Sequence, residues 1–295
     1  MKFAEALLYG LAKKWPSPVA GKQQRLGADP SSEEYHVNYA LLYQYDTKVR
    51  KGAGFDIRNK SILEIGCGHG GNTYFMAMNG ASRAVGIDIN MQNLEIAEKV
   101  RHSIQCGDAL VTKAEFYKMD AGALTFCPES FDIIIADNVF EHFMEPAKVL
   151  RECHRVLASK GVIYIGSMPS YYSRYGLHLK NGLKVPWANL FFSEKTICNV
   201  MVRLCSDSPS LMNIYPGVKS RPTKVRELRA YGDLNGMTYN RFRKMAKENG
   251  FSVKHFKVSP TPRLVGPVIQ SLPFIRRTIL ADIFSSKASY IFQKI

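Results

Sequence analysis

The chain has 295 residues, 46% of them hydrophobic and 22% charged, which supplies enough apolar material for a large core and excludes global disorder. Its apolar runs stay well short of the roughly 20 residues that a bilayer-spanning helix needs, and we expect no secretory signal. The net charge of +15 leaves open a solvated basic face or an anionic partner, such as nucleic acid or a membrane surface.

The predicted elements begin with an N-terminal extension of helices over residues 1–60. Its first helix carries apolar residues on one face with lysines beside it, a pattern that fits a basic amphipathic membrane anchor as well as a helix packed on a domain. The apolar residues of that face are Phe3, Leu7, Leu8 and Leu11. A second helix is predicted over residues 31–51, with a serine as its N-cap.

From residue 61 onward, strand-like apolar runs alternate with helical segments, which predicts a sheet with helices on both faces. The predicted strands cover residues 61–65, 84–89, 115–119, 131–136, 161–165, 251–258 and 288–292. The predicted helices cover residues 72–79, 91–101, 146–157 and 238–249. The expected fold class is α/β, Rossmann-like and doubly wound, with a mostly parallel sheet of seven strands over residues 61–295.

The regular alternation stops after the fifth predicted strand. Residues 167–236 are rich in Tyr, Pro, Asn and Ser, and we predict that they form an irregular insertion.

A glycine-rich turn follows the first predicted strand. Gly66, Gly68 and Gly71 fit the pattern G-x-G-x-x-G, and Asp88 lies twenty residues after Gly68, where a dinucleotide site has its ribose-binding acid. This motif alone does not separate NAD from S-adenosylmethionine, because both present an adenosine ribose to an acid at the end of the second strand.

Two further acids favour S-adenosylmethionine. Glu64 lies two residues before the first glycine, where a carboxylate suits a ligand with an ammonium and a sulfonium and is awkward beside a pyrophosphate. Asp120, followed by Ala121, ends the third predicted strand, in position for an adenine amino group.

With these residues in place, the chain resembles the class I S-adenosylmethionine-dependent methyltransferases, and more narrowly the subgroup that contains small-molecule and quinone-biosynthesis enzymes. The segments that carry the resemblance are residues 63–70, 86–89, 119–126, 130–132, 138–143 and 150–157. It covers residues 60–168 closely and returns at 234–253. It implies S-adenosylmethionine as methyl donor and S-adenosylhomocysteine as product. The predicted cofactor-binding residues are Glu64, Gly66, Cys67, Gly68, Gly70, Asp88, Ile89, Asp120, Ala121, Asp137 and Asn138.

Methyl transfer is an in-line displacement, so a general base is needed only where the acceptor must lose a proton. Two histidines are the catalytic candidates. His142 follows the fourth predicted strand, near the expected position of the methyl group. His178 lies in the insertion, which in related enzymes often forms a cap over the acceptor pocket.

The resemblance also raises the question of a metal. In ubiquinone-type O-methyltransferases the matching segment carries two glutamates and a histidine as ligands for a divalent ion. Here Asn138 stands at the first position, and only Glu141 and His142 match. Because an amide is a poorer ligand for a hard cation than a carboxylate, we expect these residues to serve packing and capping without a metal.

Aromatic and histidine side chains are the candidates for the acceptor pocket. They are Tyr35, His36, Tyr39, Tyr171, Tyr175 and Trp187. The first three lie in the segment before the first strand, which in related enzymes folds over the cofactor as a lid. The other three surround His178 in sequence, where simple packing of the cap is the alternative interpretation.

The expected function is methyl transfer to a small organic acceptor, at a hydroxyl oxygen. Carbon or nitrogen methylation of a small or lipidic compound, RNA methylation and a non-catalytic role at a membrane surface stay as alternatives. Residues 136–139 lack the prolines of amino-directed nucleic-acid methyltransferases, which argues against a nucleic-acid partner. Six scattered cysteines without a Cys-x-x-Cys pair predict reduced thiols in the cytoplasm. The oligomeric state stays open.

Overall fold

The computed structural model describes residues 2–14, 32–40, 56–104, 113–174, 176–179, 182–208, 211, 234–260 and 278–295. The strands are β1 Ser61–Ile65, β2 Arg83–Asp88, β3 Ala114–Lys118, β4 Phe131–Ala136, β5 Leu157–Met168, β6 Phe251–Pro260 and β7 Ser285–Lys294. The helices are α1 Phe3–Lys14, α2 Glu33–Tyr39, α3 Gly71–Met78, α4 Met91–Ser103, α5 Pro146–Val156, α6 Ala188–Phe191, α7 Glu194–Asp207, α8 Tyr239–Glu248 and α9 Ile279–Ile283. A 3₁₀ turn spans Phe140–His142. Among the described residues, none of these helices has the length and apolar character that crossing a membrane requires.

In the described part of the chain the strands form one seven-stranded sheet, in the order β3-β2-β1-β4-β5-β7-β6. Neighbours among β1 to β5 pair in parallel, whereas β7 runs antiparallel to both β5 and β6. The central strands read as nearly continuous apolar runs because both of their faces are buried. The predicted α/β fold with a mostly parallel sheet of seven strands is confirmed.

Alternate residues of the first strand enter different hydrophobic cores, because successive side chains of a strand point to opposite faces of the sheet. Leu63 packs in a cluster with Leu150 of α5 and Phe242 of α8. Ile62 packs in a second cluster with Tyr74 of α3 and Val100 of α4. Helices therefore cover both faces of the sheet, as the doubly wound prediction requires.

The segment between β5 and α8 is more regular than the sequence predicted. It contains α6 and α7, and α7 begins at the N-cap Ser193, whose side chain accepts a hydrogen bond from the Thr196 amide. The prediction of an irregular insertion is wrong for this part, because apolar residues at helical spacing were overlooked between the aromatic and proline signals. The buried ones are Ile197, Cys198, Val200, Met201, Leu204 and Cys205. The predicted start of β5 is also wrong, since the strand begins at Leu157, directly after α5.

The two described N-terminal helices pack in different places. Leu8 and Ala12 of α1 are buried in a third hydrophobic cluster with Ile197 and Met201 of α7. The Glu5 carboxylate accepts a 2.7 Å hydrogen bond from the side chain of Asn199, also in α7. The first helix thus belongs to the inserted segment, while α2 packs against α4 of the sheet domain. The predicted helix beyond residue 40 lies outside the described residues.

A buried carboxylate joins the inserted segment to the end of the sheet. Asp282 of α9 is 1% exposed, and its Oδ1 accepts hydrogen bonds from the Ser170 hydroxyl and, at 2.8 Å, from the Tyr239 amide. Tyr239 is the first residue of α8, so the carboxylate also faces the positive end of that helix. Burial raises the pKa of Asp282, and these two donors oppose the shift.

We predict that Asp282→Ala lowers the free energy of unfolding by about 2–4 kcal/mol, because it leaves the Ser170 hydroxyl and the Tyr239 amide buried without an acceptor. Asp282→Asn keeps an acceptor oxygen and should lose less. Urea denaturation measures both variants against Glu248→Ala, which removes only an exposed ion pair with Lys244 and should change stability by less than about 1 kcal/mol. Equal stability of Asp282→Ala and Glu248→Ala would contradict the assignment.

Candidate active site

A cavity of about 380 Å³ opens at the carboxyl ends of β1, β2, β3 and β4. The chain reverses its strand order between β1 and β4, and ligands of open α/β sheets bind at such a switch point. The wall includes six residues that the sequence predicted for the cofactor or for catalysis: Gly66, Asp88, Ile89, Asp120, Ala121 and His142. The geometry thus brings together residues from four separate loops.

Asp88 is held rigidly at the wall of this cavity. Its Oδ2 accepts a hydrogen bond from the Gly68 amide at 2.9 Å. Its Oδ1 accepts from the Asn90 amide at 2.8 Å and from the Asn93 side chain at 3.2 Å. The same carboxylate therefore ties the glycine turn after β1 to the start of α4, and these three donors fix its orientation toward the cavity.

The glycine turn needs its glycines for steric reasons. Gly66 has a φ of 66°, and a Cβ built there would lie 2.6 Å from Cγ2 of Val139. Gly70 has a φ of 77°, and its Cβ would lie 2.7 Å from the ring of Phe116. Both contacts are shorter than a side chain tolerates, so the backbone of this turn approaches the cavity and the sheet more closely than other residues allow.

Glu64 lies beneath the glycine turn, away from the cavity wall. Its two oxygens accept hydrogen bonds from the side-chain nitrogen of Asn72 at 2.9 Å and from the Thr73 hydroxyl at 2.5 Å, both at the start of α3. Burial raises the pKa of Glu64 to about 7, opposed by these two donors and reinforced by the negative charge of Asp137. The Glu64 carboxyl group therefore fixes the turn beside the cavity.

The third and fourth strand ends supply the remaining predicted cofactor residues. Asp120 is exposed and accepts a 2.8 Å hydrogen bond from the Gly122 amide, while Ala121 is buried beside it. Asn138 has a φ of 54° and donates its amide to the Ser167 carbonyl at 2.8 Å. Cys67 is buried, which raises the pKa of its thiol well above the usual range. Among the described residues, Glu64, Cys67, Gly68, Gly70, Asp137 and Asn138 support the site without bordering the cavity.

The two histidines predicted for catalysis meet in space. The ring centres of His142 and His178 lie 5.2 Å apart, so the inserted segment reaches the cavity wall at this point. Glu141 stands beside them and is 3% exposed, and burial raises the pKa of its carboxyl group to about 8. Sequence reasoning named both histidines separately and did not foresee their contact.

Helix α2 lies over the glycine turn. The rings of His36 and His69 are centred 4.9 Å apart, and those of Tyr39 and His69 are 6.4 Å apart. Tyr35 contacts His36 edge-on at 5.6 Å. Burial and the neighbouring His36 lower the pKa of His69 to about 4. These contacts agree with a lid position for α2, and the role of its side chains in binding an acceptor stays a prediction.

The other predicted acceptor residues pack elsewhere. The Tyr171 hydroxyl donates to Glu194 at 3.0 Å, within the hydrophobic cluster of the inserted segment. The indole nitrogen of Trp187 donates to the Ile283 carbonyl at 2.8 Å, and the Arg174 guanidinium lies 5.7 Å from the centre of its rings. Neither side chain borders the described cavity, and Tyr175 lies outside the described residues.

Several wall residues were missed by sequence reasoning. They are Ile65, Ile87, Met119, Gly122, Val139, Phe143, Met144, Glu145, Lys148 and Val149. The apolar pair Phe143 and Met144 follows His142 directly, and Met144 is largely exposed. Apolar residues directly after His142 would indicate a ligand-binding surface if they were known to be exposed. The sequence alone does not reveal their exposure.

The family comparison covers the part of the chain that builds this cavity. Residues 63–165 match the family model described as a methyltransferase domain. Together with the cavity at the switch point of the sheet, this match shows that residues 63–165 form a methyltransferase domain. The predicted class of enzyme and its methyl donor are thereby confirmed for the domain.

Individual relatives narrow the resemblance. A ubiquinone biosynthesis O-methyltransferase from Pseudomonas putida (strain W619) is 30% identical over 113 residues, which cover 38% of this chain and 46% of the relative. A protein of the same name from Nitrosomonas europaea is 28% identical over 143 residues, covering 48% of this chain and 56% of the relative. The chain thus spans about half the length of these relatives. The predicted likeness to small-molecule members of the class is confirmed.

A solved structure shares the fold. An S-adenosylmethionine dependent methyltransferase from Mesorhizobium loti aligns with a TM-score of 0.50 at 14% identity, covering 81% of this chain and 93% of that one. At this identity the likeness concerns the fold alone.

We predict that Gly66→Ala destabilises the protein, because alanine at this φ costs about 1–2 kcal/mol and its methyl group must displace Val139. Gly10→Ala in α1 is the matched control, since a Cβ there meets nothing within 4 Å and alanine favours a helix by up to about 1 kcal/mol. Urea denaturation measures both variants. A Gly66→Ala protein as stable as the Gly10→Ala protein would contradict the steric argument.

Proposed function

We propose that this protein transfers a methyl group from S-adenosylmethionine to a hydroxyl oxygen of a small organic acceptor. The observation that carries the proposal is the cavity at the switch point of the sheet, with Asp88 fixed at its wall by the Gly68 amide. Asp88 would bind the ribose hydroxyls, and Asp120 and Ala121 would bind the adenine. We propose oxygen as the methylated atom because the relatives are named as O-methyltransferases.

The charges around the cavity favour a cationic ligand. Asp137 acts electrostatically on both Glu64 and Glu141, and all three are acids. A cation bound nearby would favour the ionised forms of Glu64 and Glu141, whose pKa values are raised, so this environment suits the ammonium and sulfonium groups of S-adenosylmethionine and opposes a pyrophosphate. Methyl transfer converts the sulfonium to a neutral thioether, so these acids hold the product less strongly than the methyl donor.

We predict that Asp88→Ala reduces the affinity for S-adenosylhomocysteine about ten- to hundredfold, because a hydrogen bond to a charged group contributes about 1.5–3 kcal/mol. Isothermal titration calorimetry measures this affinity, with Asp56→Ala as the matched control, since that exposed carboxylate pairs with Arg58.

The transfer itself is tested with labelled S-adenosylmethionine against phenols and catechols, primary amines and bulk RNA. Label on a phenolic oxygen supports the proposal, and label confined to amines or RNA overturns it.

A second proposal concerns where the acceptor is met. We propose that the surface of α1 and α6 rests on an anionic lipid membrane. Phe3 is 85% exposed and Leu7 46% exposed on the side of α1 away from α7, and Phe191 of α6 is 75% exposed. Lys2 and Lys14 are exposed at the ends of α1, and the whole chain carries a net charge of +15. Apolar side chains flanked by lysines suit an anionic bilayer surface.

We predict that the purified chain floats with phosphatidylglycerol vesicles at low salt and not with phosphatidylcholine vesicles. The double variant Phe3→Ser and Leu7→Ser should float at least fivefold less, while the buried Leu8 and Ala12 keep α1 in place. Ile295→Ser is the control, because it removes an 82% exposed side chain at the end of β7. Flotation unchanged in the double variant, or lost equally in the control, would refute the assignment. The cytoplasmic location stays a prediction.

A further inference from the structure

Three side chains that can ligate a metal converge where the inserted segment meets the cavity. Glu141 and His142 lie in the 3₁₀ turn after β4, and His178 comes from the inserted segment. One ligand atom of each lies within 4.8 Å of a ligand atom of both others. Two imidazoles and a carboxylate at this separation are a donor set that proteins use for divalent transition metals.

The Glu141 carboxylate is the strongest indication that a cation belongs here. Its side chain is buried, and within the described residues both of its oxygens are without a hydrogen-bond partner. An ionised carboxylate that is buried without a partner costs several kcal/mol, so native structures leave such a group protonated or give it a donor or a cation. The charged neighbour that acts on it is Asp137, which is also acidic and adds to the need for positive charge.

The backbone holds two of the three ligands in place. His178 has a φ of 56°, a left-handed conformation that costs about 1–2 kcal/mol for a residue with a Cβ. Its neighbours Leu177 and Leu179 are buried in the cluster of the inserted segment, which maintains this conformation. The His142 amide donates to the Val139 carbonyl at 2.9 Å and fixes the 3₁₀ turn. Strained backbone of this kind is concentrated at functional sites.

We propose that Glu141, His142 and His178 bind one divalent transition-metal ion, of the zinc class, at the edge of the cofactor cavity. Ligand atoms on one such ion lie about 2.0–2.2 Å from it and therefore at most about 4.2 Å from each other. The ligand atoms lie within 4.8 Å of one another, so binding would require the side chains to move slightly closer together. This ligand set differs from the two glutamates and one histidine of ubiquinone-type enzymes. Asn138 stands where those enzymes have a glutamate, and His178 would supply the third ligand instead.

This site extends the proposed methyl transfer, on which its catalytic meaning rests. Three protein ligands leave a coordination position open, as in catalytic rather than structural metal sites. His142 borders the cavity, so the open position would lie beside the bound methyl donor. A metal held by these residues would lower the pKa of a hydroxyl bound to it, which suits an oxygen acceptor at neutral pH. The two imidazoles favour a borderline metal over magnesium, which prefers oxygen ligands.

The test is a zinc titration of the purified, tag-free, chelator-treated chain in competition with a chromophoric chelator. We expect one equivalent to bind with a dissociation constant in the micromolar range or tighter. His178→Ala and the isosteric Glu141→Gln should each weaken it at least tenfold. His102→Ala is the matched control, because this histidine is exposed on α4. Millimolar magnesium should not displace the zinc, and cobalt bound at the site should give visible absorption bands that both variants lose.

The outcomes separate this proposal from the proposed function. Zinc binding unchanged in His178→Ala and Glu141→Gln overturns the site, and so does binding that His36→Ala abolishes, since His36 and His69 form a second pair of histidines. S-adenosylhomocysteine binding by the same variants reports whether they are folded. Methyl transfer to a phenol without zinc binding overturns only the metal site. Zinc binding without any transfer overturns only the proposed function.

Discussion

The site depends on a glycine turn that carboxylates hold from both sides. Glu64 within β1 accepts hydrogen bonds from Asn72 and Thr73 at the start of α3, and Asp88 at the end of β2 accepts one from Gly68. Burying a carboxylate is costly, and for Glu64 desolvation outweighs the two donors, since its pKa rises to about 7. The hydrogen bonds that fix the turn require burying Glu64, which costs free energy. Polar residues occupy this otherwise apolar junction of strand and helix because they hold the turn in place.

The order of the strands converts this local constraint into a binding site. Because β1 to β5 run parallel, their carboxyl ends meet at one edge, and the loops that follow them share a cavity. The inserted segment reaches the same edge, since it leaves from the end of β5 and is fastened to α8 and α9 through Asp282. His178 therefore contacts His142 although neither position suggests it in the sequence.

The sequence predicted correctly those features that depend on local patterns of residues, namely the strands and the motif residues. Apolar runs and glycines located the seven strands, and the motif residues Gly66, Asp88 and Asp120 lie at the described cavity. Tertiary packing decided the rest. Trp187 follows a cluster of tyrosines, yet its ring nitrogen bonds a backbone carbonyl of α9, which no spacing rule reveals. The expectation of no metal rested on Asn138 and is untested. It did not consider His178, which lies thirty-six positions after His142 in the sequence.

The charge of the molecule and the charge of its cavity have opposite signs, and the distance over which charges act explains how both can serve function. Exposed lysines act on partners through water, where salt screens them beyond about 8–10 Å. Three acids, Asp88, Asp120 and Glu145, line the described cavity against one lysine, Lys148, and the buried Asp88 is screened much less. Within the cavity these nearby carboxylates therefore outweigh a larger but distant positive charge. One basic protein can therefore bind a cationic methyl donor in its cavity and an anionic membrane at its surface, because each ligand responds mainly to the charges closest to it.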